Sequence, residues 1–166
     1  MDRNPWTYRI MAQEWAREQQ TRPDGAGDPP VGDPRDYAYV EFNTEYRGSD
    51  PARCDAALSI QLQLRNDSTW HTSDHGVPAL RVASRDWRRS TVELPHGTMA
   101  KDIARLRFVA YSGRQQDCRI VLRHIGKLFM LDADYKPQDS VFKWDGETVL
   151  DPNNPAKQEV VFEITR

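Results

Sequence analysis

Several separate stretches of this chain alternate apolar and polar residues with a period of two, and that pattern commits it to β-sheet. In ALSIQLQLR, Leu58, Ile60, Leu62 and Leu64 fall on one side and Ser59, Gln61, Gln63 and Arg65 on the other. In ARLRFVAY, Leu106, Phe108 and Ala110 oppose Arg105, Arg107, Val109 and Tyr111. CRIVLRHI sets Ile120 and Leu122 against Arg119, Val121, Arg123 and Ile125, and YAYVEFNTEY sets Val40 and Phe42 against Tyr37, Tyr39, Glu41, Asn43 and Glu45. Successive side chains of a strand point to opposite faces, so each stretch gives one face to a core and one to solvent. Val40, Leu62, Leu106, Phe108, Ile120 and Leu122 are therefore expected to share one core.

Turn formers punctuate these stretches and set their bounds. Strands are expected at 37–46, 57–65, 79–84, 87–94, 104–111, 118–125, 127–131, 141–144 and 159–165. They are separated by Gly48-Ser49-Asp50-Pro51, Arg65-Asn66-Asp67-Ser68, Pro95-His96-Gly97, Ser112-Gly113, Lys136-Pro137, Asp145-Gly146 and Asp151-Pro152-Asn153-Asn154-Pro155. Many short strands at this spacing predict an antiparallel sandwich. The N-terminal part reads differently. Pro5 suits a first helical turn, and Trp6, Ile10, Met11 and Trp15 gather near one helical face, so residues 1–20 are expected to form a short helix. Residues 21–36, TRPDGAGDPPVGDPRD, carry prolines at 23, 29, 30 and 34 and glycines at 25, 27 and 32, which predicts a linker without regular structure. The sandwich then occupies residues 37–166.

Residues 81–128, RVASRDWRRSTVELPHGTMAKDIARLRFVAYSGRQQDCRIVLRHIGKL, carry a more particular recipe. Trp87 opens a strand that ends at Leu94-Pro95-His96-Gly97, and two strands follow. This resembles the last strands of galactose-binding-domain-like β-sandwiches, the jelly rolls of many carbohydrate-binding modules. The resemblance implies an all-β antiparallel jelly roll and a binding domain with no reaction of its own.

Charge narrows the partners. With 23 basic and 25 acidic residues the formal net charge is −2, so no bulk field recruits nucleic acid or an acidic membrane surface. No run approaches the roughly 18 apolar residues of a membrane span. The first residues lack a basic stretch followed by an apolar one, so the sequence as written reads as cytoplasmic or as a domain of something larger. Cys54 and Cys118 are too few for a disulfide framework and lack metal-ligand spacing; one bridge between them is open, and a cytosolic reading favours two reduced, half-buried thiols.

The outward sets carry the chemistry. Gln61, Gln63, Arg105, Arg107, Arg119 and Arg123 supply planar amides and guanidinium forks, which pair vicinal hydroxyls, and Tyr111 supplies a ring against which the C–H face of a sugar stacks. Arginine also forks the carboxylate or phosphate of an acidic sugar. Trp70, in the hydrophilic run NDSTWHTSDHG, has nothing apolar near it in sequence and reads as a loop platform for a ligand. Trp87 reads as packing. A polar outer face is also what any antiparallel sheet shows to water, and these residues carry that plainer reading as well.

One constellation has the look of catalysis. His71, Asp74 and His75 form H-x-x-D-H, but in a run of Ser, Thr and Gly instead of a helix and with no glutamate base, so zinc-protease chemistry finds no support. His124 falls on an inward position. No nucleophile elbow and no phosphate-binding glycine loop occurs. Asp132-Ala133-Asp134 and Asp151-Pro152-Asn153-Asn154 offer oxygen ligands to a structural calcium, a feature common in the family resembled, yet match no calcium-loop pattern. The expected function is thus non-catalytic carbohydrate binding within a larger carbohydrate-active protein, with a glycan ligand and a partner domain docked on the N-terminal helix. The alternatives are an assembly module using the same sandwich and a small enzyme built on the histidine loop.

Overall fold

A computed structural model describes residues 32–50, 54–72, 77–78, 87–112, 117–138, 142–144 and 146–164. The expected N-terminal helix, the strand at 79–84 and most of the linker lie outside them. Ten strands are described: β1 (Tyr37–Gly48), β2 (Ala57–Leu64), β3 (Trp70–Thr72), β4 (Val77–Pro78), β5 (Trp87–Glu93), β6 (Ile103–Tyr111), β7 (Cys118–Met130), β8 (Phe142–Trp144), β9 (Glu147–Leu150) and β10 (Glu159–Glu163). They form two antiparallel sheets. The first runs β5-β1-β7, with β8 and β9 both on the far side of β7, and the second runs β10-β6-β2, with β3 and β4 both on the far side of β2.

The period-two pattern decides which face each sheet buries. Val40, Phe42, Ile120 and Leu122 of the first sheet join Leu62, Ile60, Leu106 and Phe108 of the second in one buried cluster, each at most 1% exposed. The rings of Phe42 and Phe108 meet edge to face across the sheets at 5.7 Å, and Phe108 meets Phe162 of β10 at 6.3 Å. The expected all-β core is therefore present, with its members as named.

Several expectations are corrected. Cys54 and Cys118 form a disulfide, with Cα atoms 5.8 Å apart and both residues buried. Counting cysteines could not reveal this, because the bond depends on the lead-in to β2 passing beside the start of β7, 64 residues later. Near it, Gly48 ends β1 so close to Asp117 that a Cβ would run into the Asp117 carbonyl, so glycine is required there. Tyr37, Tyr39 and Asn43, expected to face solvent, are buried. Tyr39 stacks on Phe129 at 5.3 Å and donates its hydroxyl to the Pro34 carbonyl at 2.9 Å, so chain crossing the outside of the first sheet hides it. That crossing is a 3-10 turn at Pro34–Asp36, capped by the Asp33 side chain, where the linker reading predicted no regular structure.

Two expected strands, 118–125 and 127–131, are one strand, β7. Between the pairs Glu41↔Lys127 and Asn43↔Arg123, residues 124–126 of β7 oppose Phe42 alone, a bulge that bends the strand. At the same level β8 ends and β9 begins: Trp144 faces Gly126 and Glu147 faces Arg123. Both pair antiparallel to β7, so β8 and β9 run in one direction along it, and β9 is not among the expected strands.

Candidate functional site

The outer face of the second sheet gathers most of the polar residues singled out from the sequence. Register aligns Gln61 with Arg107 and Gln63 with Arg105, and on the other side of β2 aligns Gln61 with Thr72 and Gln63 with Trp70. β10 adds Val161 beside Arg107, Glu163 beside Arg105 and Glu159 beside Val109. Facing cross-strand side chains lie about 5 Å apart, close enough to bond directly.

They do bond directly. Arg107 donates from Nε to Gln61 Oε1 at 2.6 Å, gives the same oxygen a second bond from Nη2, and brings Nη1 within 3.8 Å of Glu159. Its guanidinium lies over the Trp70 ring, 4.0 Å from the centroid. Arg105 donates from Nη1 to Gln63 at 2.6 Å and from Nε to Glu163 at 2.7 Å. The amides complete the ladder: Gln61 Nε2 donates to Ser59 Oγ at 3.1 Å and Gln63 Nε2 to the Ser68 carbonyl at 3.0 Å. Two guanidinium groups and two carboxylates leave this face without net charge. Arg65, expected on the same face, instead binds the Lys101 and Ile164 carbonyls at the end of the sheet.

Trp70 is not on a loop. It opens β3 in a hairpin whose turn is held by Asp67, which accepts the Thr69 backbone N–H at 2.8 Å. The signal was legible, since WHT follows a turn-forming Asn-Asp-Ser and places its tryptophan and histidine on opposite faces. The Thr69 backbone bond, then the Thr69 hydroxyl and the neighbouring His71, hold the Asp67 carboxyl below the usual carboxylate range. A lowered folded-state value means that Asp67 favours the hairpin above its unfolded-state pKa and loses that effect as pH falls through the folded one. An NMR titration should accordingly give Asp67 a midpoint below an ordinary aspartate's about 3.9, and replacing Thr69 should move it up.

Arg119 and Arg123 are not part of this face. Both lie on β7 in the first sheet, where Arg119 pairs in register with Arg47 and sits 3.8 Å from Asp117, and Arg123 pairs with Asn43. Sequence alternation assigns a residue to a face of its own strand but not to one of two sheets. Of the histidine loop, His71 belongs to β3 with Nε2 3.2 Å from Asp67, and Asp74 and His75 lie outside the described residues. No group of three or more potential metal ligands occurs among the described residues. In the acidic turns, Asp132 Oδ1 accepts the N–H groups of Asp134 and Lys136, and Asp151 Oδ1 accepts that of Asn153. A groove of about 460 Å³ opens elsewhere, beside the Pro95–Lys101 loop. Its charged groups are largely spoken for, Arg35 by Asp33 at 3.0 Å and His96 by Asp36 at 3.1 Å.

Sequence reasoning missed β10's contribution, although EVVFE alternates plainly and sets Glu159, Val161 and Glu163 outward. No known family model matches this sequence, and no curated protein does. The site therefore rests on its geometry.

Proposed function

We propose that the chain is a non-catalytic jelly-roll binding domain that presents the outer face of its second sheet to a glycan, as part of a larger carbohydrate-active protein. The observation that carries this reading is the convergence of Gln61, Gln63, Arg105, Arg107, Trp70 and Tyr111, drawn from three strands, on one open polar face with aromatic groups at both ends of it. The chain's repeated passage between sheets, from β1 to β2, β4 to β5, β5 to β6, β6 to β7 and β9 to β10, supports the jelly roll. A fixed array of hydrogen-bonding groups beside exposed aromatic surface suits polyhydroxylated ligands, whose hydroxyls exchange water for protein at little net gain per bond, so the affinity is modest.

A glycan array followed by calorimetry tests it. Binding to an oligosaccharide is expected, weakened at least fivefold by the double substitution Gln61→Ala/Arg107→Ala, on the order of 1 kcal/mol for two lost polar contacts. Undetectable binding to every neutral and acidic glycan, or binding indifferent to the double substitution, overturns the reading.

A further inference from the structure

Resting on that reading, we infer that the glycan is neutral and that its ring lies on Tyr111 at the β6 end of the face, while Trp70 serves only to position Arg107. The two halves of the face differ. Toward Trp70 the ladder is dense with charge, and its donors and acceptors already bind one another. A uronate carboxylate reaching Arg107 must displace Gln61 and approach Glu159 and Glu163, in a place where the fixed charges sum to zero. Acidic sugars gain nothing there.

Toward the other end the face changes character. Tyr111 is 41% exposed and pairs in register with Ala57, and Val109 pairs with Ser59, so the β2 residues opposite the phenol and the valine are small. Val161, 39% exposed, lies diagonal to Val109 and extends the apolar surface. Among the described residues the Tyr111 hydroxyl has no hydrogen-bond partner. A sugar whose C–H face rests on Tyr111 and Val109 therefore meets free apolar surface, with Ser59 and Glu159 at its rim and the next outward pair, Gln61 and Arg107, within reach of its hydroxyls. Trp70 offers less, because a guanidinium already lies over its ring.

Calorimetry on the full chain decides this with two sets of probes: neutral hexasaccharides of glucose, mannose, xylose and galactose, and hexasaccharides of galacturonate and of alginate. A neutral probe is expected to bind at least ten times more tightly than either acidic one. Tyr111→Ala should weaken that binding roughly tenfold, equivalent to about 1.4 kcal/mol, and Tyr111→Phe by less than about threefold. Trp70→Phe keeps a ring beneath Arg107 and should change little, whereas Trp70→Ala frees the guanidinium and should narrow the neutral-to-acidic ratio, a shift that simple destabilisation would not produce. Acidic probes binding as tightly as neutral ones, or loss of binding in Trp70→Phe with Tyr111→Ala silent, overturns the inference and leaves glycan binding standing. Failure of all probes to bind the unsubstituted chain removes both.

Discussion

Replacing Phe108 with alanine is expected to destabilise the domain by about 3 to 5 kcal/mol, the cost of removing a large ring whose neighbours cannot collapse into the space. Phe108 is fully buried on β6, pairs with Ile60 and Val160, and touches the rings of Phe42 and Phe162. It thereby links both sheets, and close-packed rings from two sheets have no common direction in which to relax. Denaturant unfolding measures the loss directly. Arg105→Ala, on the same strand but on its outer face, should shift stability by no more than about 1 kcal/mol, the usual worth of an exposed ion pair. A larger loss at Arg105 than at Phe108 would show that the faces of β6 had been assigned the wrong way round.

Removing the disulfide should be nearly as costly. The Cys54–Cys118 bond closes a loop across a sequence separation of 64 residues. A cross-link of that span restricts the unfolded chain by about 4 kcal/mol in the loop-entropy treatment, and for a domain of this size the melting temperature should fall by roughly 10 °C. The double variant Cys54→Ala/Cys118→Ala, which avoids leaving one unpaired thiol, is the one to compare by thermal unfolding and intact mass. Because both cysteines are buried, reductant alone should lower the melting temperature only once the fold opens. An unchanged melting temperature in the double variant would mean that the bond adds nothing to the folded domain.

The sequence by itself determined the local periodicities. A strand's two faces follow from the fixed alternation of its side chains, which is why Leu58, Ile60, Leu62, Leu106 and Phe108 are found in the core and Gln61, Gln63, Arg105 and Arg107 outside it. Everything that depends on which strands become neighbours was decided by the tertiary structure. Arg107 and Arg119 look equivalent on their own strands, yet β6 and β7 enter different sheets, so one joins the Gln61 ladder and the other faces Arg47. Tyr39 alternates as a solvent residue and is buried because residues 34–36 cross its sheet. Cys54 and Cys118 meet for the same reason. Alternation is encoded over two residues, whereas sheet membership, covering segments and disulfide partners arise from contacts between residues far apart in the chain, whose choice reflects the packing of the whole core.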